Sequence, residues 1–182
     1  MRRARRSVSP ADAADAAKRV ALEATPLIQP GSDVASYVDF DGELQTAILH
    51  DTIARSGACL WLPCVDDKID GNNMEFRRAD GPLRRNRFGI PEPQEGTSID
   101  PCDLDLVFVP LTAFNAKGFR LGMGGGYYDR CFAFRRGRSG SPILVGVGYG
   151  FQQQESIQTQ LHDVPLDLMI SEQGLVRFRS VP

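Results

Sequence analysis

Two stretches of sequence, LVFVP at 106–110 and ILVGVGY at 143–149, decide the fold class. Both are continuous apolar runs, which are typical of strands that are buried on both faces of a sheet. A third run, ACLWLPC at 58–64, has the length of a buried strand and is predicted to stop at Pro63. Strands of this kind occur in mostly parallel sheets that are covered by helices.

Helical segments alternate with these strands. Ser9, Pro10 and Asp12 form a helix start, with serine as the N-cap and proline at the first helical position. An alanine-rich helix is predicted from there to about Thr25, and a second helix is predicted over 45–56.

Further strands are predicted at 36–40 and 104–110, and as a final pair at 168–171 and 175–178. Residues 66–97 are polar and rich in proline and glycine, and we interpret them as an excursion from the core with a short strand at 74–77. The chain is therefore predicted to be one domain over 1–182, with an α/β fold in three α/β/α layers and a mostly parallel sheet.

Composition excludes several function classes. The chain has 182 residues, of which 42% are hydrophobic and 24% charged, as in soluble globular domains. Four arginines in the first six residues leave 17 basic against 23 acidic residues in the remainder, a net charge of −6. A local anion site is expected rather than nucleic-acid binding. With no signal peptide and no apolar membrane span, we expect a cytoplasmic monomer or weak homodimer without a membrane partner.

A glycine-rich segment, KGFRLGMGGGYYDR at 117–130, is the strongest candidate site. It holds five of the 18 glycines, which allow backbone N–H groups to turn inward around an anion. A helix that begins at Gly126, together with Lys117, Arg120 and Arg130, adds positive charge. The segment predicts a phosphate or nucleotide site. The alternative is a flexible turn, because a GxGGG pattern alone is weak and matches neither a Walker A loop nor a dinucleotide fingerprint.

Two acidic clusters accompany this loop. Asp163 and Asp167 lie just before the strand at 168–171, and with Asp129 they are candidates to hold Mg²⁺, which prefers oxygen ligands. Alternatively, Asp163 caps a turn and Asp129 pairs with Arg120 or Arg130.

The second acidic cluster, DFDGEL at 39–44, follows the first predicted strand. Ligands bind at the carboxyl ends of strands in such sheets, so these acids could bind the polar edge of a ligand. Alternatively, they form a turn and the start of a helix, where acids are favoured in any case. A Ser/His triad is excluded as a serious candidate, because only His50 and His162 are present and there is no GxSxG motif.

Four sequence blocks together carry a family resemblance. FDGEL at 40–44, FGIPEP at 88–93, DLVFVPLTAFNAKGFRLGMGGGYYDR at 105–130 and HDVPLD at 162–167 resemble the 5-formyltetrahydrofolate cyclo-ligases, also called 5,10-methenyltetrahydrofolate synthetases. The resemblance implies a three-layer α/β fold similar to the sugar-isomerase and CoA-transferase superfamily. It also implies a ligase of one-carbon folate metabolism that converts 5-formyltetrahydrofolate to 5,10-methenyltetrahydrofolate with ATP and Mg²⁺, releasing ADP and phosphate.

The resemblance also implies roles for individual residues. Those that would bind ATP are Arg2, Arg6, Arg120, Leu121, Gly122, Met123, Gly124, Gly125, Gly126, Tyr127 and Tyr128. Those that would bind the folate are Val38, Glu43, Met123, Gly124, Gly125, Gly126 and Tyr127. Asp129 and Asp163 would hold Mg²⁺, and the catalytic set would be Arg120, Tyr127 and Asp129. Glu43 is the candidate for the N–H edge of the pterin, because a carboxylate accepts two parallel hydrogen bonds.

At its start the sequence departs from the family pattern. Family members usually have a basic K/R-x-x-x-R stretch upstream of the segment that matches Arg2–Arg6. We expect either that a further start codon lies upstream, that one of the arginines at positions 2, 3, 5 and 6 takes over the phosphate contact, or that ATP binding is weakened. Alternatively, these arginines are a solvated, frayed terminus. The second hypothesis for function is a non-catalytic folate- or nucleotide-binding relative.

Overall fold

The apolar runs at 106–110 and 143–149 form neighbouring parallel strands of the central sheet. The structure, a computed structural model, describes residues 1–65, 74–137 and 140–178. The strands in these ranges are β1 Asp33–Ala35, β2 Cys59–Val65, β3 Met74–Arg78, β4 Leu83–Arg85, β5 Pro91–Pro93, β6 Ser98–Ile99, β7 Leu106–Pro110, β8 Ala113–Phe114, β9 Arg120–Leu121, β10 Ile143–Val147, β11 Leu168–Ser171 and β12 Gly174–Arg177. The α-helices are α1 Arg2–Arg6, α2 Pro10–Ala24, α3 Ala47–Arg55 and α4 Tyr127–Cys131.

The main sheet has the strand order β12-β11-β10-β7-β1-β2-β3-β6 in the described part of the chain. Strands β11, β10, β7, β1 and β2 are parallel to one another, whereas β12, β3 and β6 join antiparallel. Strands β4 and β5 form a separate small hairpin, as do β8 and β9. The predicted α/β fold with a mostly parallel sheet is confirmed.

Both faces of the sheet are buried, but by different structural elements. Helices α2 and α3 cover one face, where Val20 and Ile53 pack in a cluster with Phe108. On the other face, Phe132 packs against Phe76 at the end of the short helix α4. The third layer of the predicted sandwich therefore consists of α4, 3₁₀ turns and loop segments. Within the described ranges, no helix has both the length and the apolar character needed to span a bilayer.

The predicted helix start at Ser9 is confirmed. The Oγ of Ser9 accepts a hydrogen bond from the backbone N of Asp12 at 3.1 Å, with Pro10 in the first helical position. A serine N-cap of this kind stabilises a helix by about 1 kcal/mol. Helix α2 ends at Ala24, one residue before the predicted end, and α3 lies inside the predicted range 45–56.

The prediction of a strand at 36–40 is wrong, because the first strand is β1 at residues 33–35. Ser36 N still donates to Trp61 O at 2.9 Å, but the chain then leaves the sheet. Thr46 holds the departing segment: its Oγ1 donates to the carbonyl of Tyr37 at 2.9 Å and its N donates to Asp39 Oδ1 at 3.0 Å. These side-chain contacts replace the hydrogen bonds of a strand ladder.

Strand β2 also differs from the prediction, since it continues past Pro63 to Val65. The backbone groups of residues two apart in a strand point toward the same neighbouring strand. The carbonyl of Trp61 points toward the β1 side, so the backbone nitrogen of Pro63 points there as well. Strand β1 has already ended there, because its last residue, Ala35, pairs with Trp61. The missing N–H of proline therefore removes no hydrogen bond from the sheet.

The predicted excursion over 66–97 contributes more to the core than the sequence indicates. The strand predicted at 74–77 is confirmed as β3, whose Phe76 is fully buried. Strand β3 pairs with both β2 and β6, so this segment completes one edge of the main sheet. Residues 66–73 of the excursion lie outside the described residues.

Candidate active site

The loops that follow three parallel strands meet at Leu111, at the carboxyl edge of the sheet. The carbonyl of Leu111, just after β7, accepts a hydrogen bond from Nη1 of Arg5 at 3.1 Å. It also accepts one from Nε2 of Gln152, in the loop after β10, at 2.9 Å. Arg5 in turn contacts the loop after β1, where its Nη2 donates to the carbonyl of Asp41 at 3.3 Å. Side-chain hydrogen bonds therefore link the loops at the sheet edge that was predicted to hold a ligand.

The glycine-rich loop is attached to the same point. Thr112 N donates to Leu121 O at 2.6 Å, and Thr112 Oγ1 lies 3.3 Å from Gly122 O. Strands β8 and β9 pair directly next to these contacts, which close the open end of the hairpin. The loop is therefore anchored before Gly122 by the hairpin and after Gly126 by α4, and the glycines span the turn between the two.

Two glycines in the turn have backbones that other residues rarely adopt. Gly124 has φ of 89°, and a side chain there would meet open space. Gly126, the residue before α4, has φ of 63°, and a Cβ would lie 2.7 Å from Nη1 of Arg130. Helix α4 begins at Tyr127, one residue after the predicted start at Gly126, which is its N-cap. It has only five residues, so its dipole adds less positive charge than a longer helix would. Leu121 and Met123 are exposed at the opening.

Arg120 and Asp129 form a partly buried network with Val164. Nη2 of Arg120 lies 3.0 Å from Asp129 Oδ1, and Nη1 donates to the carbonyl of Val164 at 2.6 Å. The N–H of Val164 completes the triangle by donating to the same Asp129 oxygen at 3.0 Å. The alternative in which Asp129 pairs with Arg120 is therefore realised. The Arg120 side chain is only 5% exposed, so it holds the site together and presents little surface to solvent.

Asp163 lies next in sequence to Val164, so the backbone segment that carries it is held beside Asp129. Asp163 Oδ2 accepts from Gln160 N at 2.8 Å, which is the predicted turn cap. Within the described residues, no group of three or more His, Cys, Asp or Glu side chains has the arrangement of a protein-only metal site. Two carboxylates fit Mg²⁺ nonetheless, because this ion usually takes one or two carboxylates and completes its shell with phosphates and water.

The N-terminal arginines are ordered around Asp41. Arg2 Nε donates to Asp41 Oδ2 at 2.6 Å and Arg6 Nε donates to Oδ1 at 2.5 Å. These hydrogen bonds hold the pKa of Asp41 below its usual value. Arg5 is 2% exposed, so the alternative of a frayed, solvated terminus is wrong for this residue. The sequence-based residue roles omitted Arg5, and its position one residue before Arg6 gave no signal of burial.

Glu43 faces Arg5 from the loop after β1. Its Oε1 lies 3.7 Å from Nη1 of Arg5, and its Oε2 accepts from the backbone N of Phe40 at 3.1 Å. Burial raises the pKa of Glu43 to about 7, against the opposing effects of the Phe40 hydrogen bond and the Arg5 charge. The carboxyl therefore changes charge near neutral pH.

Glu43 also connects the two predicted halves of the site. It lines a cavity of about 380 Å³ together with Arg5, Asp39 and Tyr149. Its negative charge adds to burial in raising the pKa of Tyr128, in the first turn of α4. Val38, also predicted to contact the folate, is half-buried in the segment that leads from β1 to this cavity.

Tyr127 makes a contact that the sequence did not predict. Its hydroxyl accepts a hydrogen bond from Nη2 of Arg87 at 3.0 Å, and its ring packs edge-on against Phe88 at 6.4 Å between centroids. Both partners lie in the loop between β4 and β5. The only signal for this contact was that Phe88 begins the FGIPEP block.

Comparison with known proteins decides the family. The sequence matches the 5-formyltetrahydrofolate cyclo-ligase family over residues 1–172. The chain belongs to this family. It is 38% identical over 143 residues to the 5-formyltetrahydrofolate cyclo-ligase of Haemophilus influenzae, covering 76% of this chain and 75% of the relative. It is 30% identical over 176 residues to that of Escherichia coli K12, covering 94% and 96%.

A solved structure agrees with this assignment to the cyclo-ligase family. The NMR structure of Aquifex aeolicus 5,10-methenyltetrahydrofolate synthetase superimposes with a TM-score of 0.79 at 30% identity, covering 100% of this chain and 90% of that one. The predicted family and the predicted α/β fold are both confirmed. The roles of individual cyclo-ligase residues stay predictions, and their geometry is the basis of the proposal below.

Proposed function

We propose that this cyclo-ligase family member converts 5-formyltetrahydrofolate to 5,10-methenyltetrahydrofolate, with ATP consumed and ADP and phosphate released. The observation that carries the proposal is the junction at Leu111 and Thr112. Leu111 receives Arg5 from the N-terminal helix, and Thr112 holds the glycine-rich loop at Leu121 and Gly122. Arg5 and the glycine-rich loop therefore both contact this one dipeptide.

The nucleotide half of the proposed site has two parts. The first is Arg2 and Arg6, whose exposed guanidinium groups, at 56% and 64% side-chain exposure, bracket Asp41. The second is the loop from Arg120 to Tyr128, whose turn leaves open space at Gly122 and Gly124. The loop would surround the phosphates with backbone N–H groups, while the arginines supply full charges.

The folate half would lie between the glycine-rich turn and Glu43. Val38 and Glu43 would contact the folate from the loop after β1, and residues 123–127 would contact it from the glycine-rich turn. The charge of Glu43 contributes, after burial, to the raised pKa of Tyr128 in α4, which supports this arrangement. Glu43 accepts from Phe40 N through its Oε2, and its Oε1 lies beside Arg5. Once ionised, it would accept the paired N–H donors of a pterin.

Asp129 and Asp163 would hold Mg²⁺ in the complex with nucleotide. The bound ion would neutralise phosphate charge during the transfer. Arg120 has a separate task in this scheme, because it fixes Asp129 and Val164 in one orientation through two hydrogen bonds. The turn cap at Gln160 fixes Asp163 in the same way.

The chemistry suits a site without a protein nucleophile. The formyl oxygen attacks the γ-phosphorus of ATP, the bond to the bridging oxygen breaks, and ADP leaves. N10 of the folate then attacks the activated formyl carbon, the carbon–oxygen bond breaks with departure of phosphate, and N10 loses its proton as the ring closes. Phosphoryl transfer of this kind depends on positioning and charge neutralisation, which glycines, arginines and carboxylates supply.

A turnover assay tests the proposal. Purified protein with 5-formyltetrahydrofolate, Mg²⁺ and ATP should form the methenyl chromophore, with one ADP released per product and no product when ATP is omitted. The double variant Arg2→Gln/Arg6→Gln should raise the KM for ATP on the order of tenfold, while Arg3→Gln should not. Folate binding without ATP-dependent turnover would instead identify the non-catalytic relative.

A further inference from the structure

Gln152 is a buried side chain outside the set of residues that the family resemblance assigns to the site. It ends a 3₁₀ turn, Gly150–Gln152, in the loop after β10, and is only 1% exposed. Its Nε2 donates to the carbonyl of Leu111 and to that of Thr112, each at 2.9 Å. Its Oε1 accepts a hydrogen bond from the backbone N of Tyr149 at 2.8 Å. Both N–H donors of the amide and its oxygen therefore have partners.

These partners require an amide at position 152. Two carbonyls need two N–H donors and the N–H of Tyr149 needs an acceptor, and only an amide group offers this combination without a charge. The chain also makes room for the group, because a Cβ on Gly148 would lie 2.8 Å from Oε1 of Gln152. Gly148 is the second glycine of the ILVGVGY run. This glycine and the buried amide therefore belong to one packing arrangement.

The two carbonyls belong to the dipeptide that joins the halves of the proposed site. The carbonyl of Leu111 also accepts from Nη1 of Arg5 at 3.1 Å, so its two lone pairs receive one donor from α1 and one from the loop after β10. Thr112 holds the glycine-rich loop, because its N donates to Leu121 O at 2.6 Å. One NH₂ group of Gln152 therefore fixes the backbone on which both Arg5 and the glycine-rich loop are held.

The oxygen of the same amide holds a third part of the site. Tyr149, whose N–H it accepts, lines the cavity of about 380 Å³ that Glu43 also lines. The next residue, Gly150, donates its N–H to both carboxylate oxygens of Glu172, at 3.1 and 3.0 Å. The loop after β10 is thus fastened to the turn that follows β11. Gln152 therefore extends from a firmly held loop to the junction of the site.

We infer that Gln152 is a positioning residue for the phosphoryl transfer, which keeps the glycine-rich loop in register with Arg5 and with the cavity at Glu43. This inference rests on the proposed function and deepens it. Gln152 is buried and contacts neither substrate in this scheme. Transfer from ATP to the formyl oxygen requires close and aligned reactants, and a displacement of about 1 Å can lower the rate on the order of 100-fold. Binding of each substrate to its own half depends much less on this alignment.

The alternative is that Gln152 only stabilises the fold, as a fully hydrogen-bonded buried amide can do. The two explanations differ in what they predict for the folded protein. A purely structural residue changes the fraction of folded molecules and leaves each folded molecule fully active. A positioning residue instead lowers kcat per folded molecule, while the KM values for ATP and for the folate stay unchanged.

The experiment replaces Gln152 by methionine, which has a similar length but no N–H donor. Turnover in the methenyl assay is divided by the number of ADP-binding sites, so that unfolded protein does not count. Gln152→Met should lower kcat on the order of 100-fold, with both KM values within about threefold of wild type. The matched control is Gln153→Met, because Gln153 is the next residue and is exposed. This control should keep the wild-type kcat and KM values.

Gln152→Glu is the second variant, in case the methionine variant does not fold. Glutamate has the same length, and one of its oxygens can still accept from Tyr149 N. An ionised carboxylate has no donor for the two carbonyls, and a protonated one has a single donor. This variant should therefore lower kcat on the order of tenfold or more, again with KM values within about threefold of wild type.

A wild-type kcat per ADP-binding site in a variant that folds would overturn the inference, and so would failure of both variants to fold, because Gln152 would then be purely structural. KM values that rise on the order of tenfold with kcat unchanged would also overturn it, since the junction would then serve binding alone. A wild type without turnover would contradict the proposed function, and the inference would fall with it. Turnover by the wild type together with fully active variants would contradict the inference alone.

Discussion

Nη2 of Arg120 lies 3.0 Å from Oδ1 of Asp129, and this pair ties the start of α4 to the segment that carries Asp163. The tie runs through Val164, which donates its N–H to Asp129 and accepts from Arg120 through its carbonyl. Asp129 therefore has a structural task as well as the proposed metal contact. The two tasks can be separated by experiment, since stability reports the first and Mg²⁺ dependence reports the second.

Asp129→Asn should lower both the stability of the fold and the Mg²⁺-dependent turnover. The substitution leaves Arg120 without its counter-charge in a position that is 5% exposed. Removal of one partner from a buried pair costs about 3–5 kcal/mol, and because Asp129 is partly exposed we expect a loss of about 2 kcal/mol in the free energy of unfolding. Turnover should fall at least about 100-fold at saturating Mg²⁺.

Urea denaturation and the methenyl assay measure these two effects. Asp15→Asn is the control, because its ion pair with Lys18 is exposed on α2 and should contribute less than about 0.5 kcal/mol. Loss of stability with full activity would show that Asp129 is only structural.

Asp163→Asn should separate metal binding from stability more cleanly. The amide oxygen of asparagine can still accept the hydrogen bond that Asp163 receives from Gln160 N. The free energy of unfolding should therefore change by less than about 1 kcal/mol. The Mg²⁺ concentration for half-maximal turnover should rise on the order of tenfold or more, as measured by titration of the metal.

Asp167→Asn is the matched control for this experiment. Asp167 lies four residues further along the same segment, but it accepts from Arg135 at 2.7 Å and from Leu144 N at 2.8 Å. Its loss should lower stability and leave the Mg²⁺ requirement unchanged. Equal metal dependence of Asp163→Asn and wild type would remove Asp163 from the proposed metal site.

The sequence predicted those parts of the fold whose pattern is local. The apolar runs of β7 and β10 and the cap at Ser9 each carry their own signal, and all three are confirmed. The position of β1 has no such signal. Its end depends on contacts between Thr46 and the segment at 37–39, which become visible only when the chain has folded back.

The candidate site also has a part that a local sequence pattern predicts and a part that no local pattern predicts. The glycine-rich turn is marked by composition, so its location before α4 could be predicted. The contacts of Arg5 and Arg87 could not be predicted, because their partners Leu111 and Tyr127 lie 106 and 40 residues away in the sequence. Long-range pairs of this kind depend on the topology of the sheet rather than on any local pattern.

Arg5 should control the charge of Glu43. Its guanidinium lies 3.7 Å from the carboxyl and opposes the rise in the pKa of Glu43 caused by burial. Arg5→Met removes this charge, so the pH at which Glu43 ionises should move upward from about 7, and so should the midpoint of the pH profile of kcat/KM.

Arg5→Lys tests whether charge is the cause. Lysine keeps the positive charge but loses the paired contacts to the carbonyls of Leu111 and Asp41. In Arg5→Lys the midpoint of the pH profile should return toward the wild-type value, while the free energy of unfolding should be lower than that of the wild type. A midpoint that moves equally in both variants would show that Arg5 acts through structure alone.

Glu43→Gln should change the pH dependence of stability. Burial raises the pKa of Glu43 from 4.5 to about 7 in the folded state, so between these two pH values the folded chain binds more protons than the unfolded chain. Stability contributed by this group is therefore present below about pH 4.5 and declines until about pH 7. The difference between these two pKa values corresponds to about 3 kcal/mol in the free energy of unfolding.

Glutamine stays neutral and retains an acceptor for Phe40 N, so Glu43→Gln should match the wild type near pH 4.5 and exceed its free energy of unfolding by up to about 3 kcal/mol at pH 8. The measurement is urea denaturation across this pH range, with the exposed Glu23→Gln on α2 as the control that should show no such divergence. At the same time Glu43→Gln should raise the KM for 5-formyltetrahydrofolate, because the amide NH₂ group that replaces one carboxylate oxygen cannot accept the second of two parallel N–H donors of the pterin. A variant that is more stable at pH 8 but binds the folate as well as the wild type would confirm the buried carboxyl and remove Glu43 from the folate site.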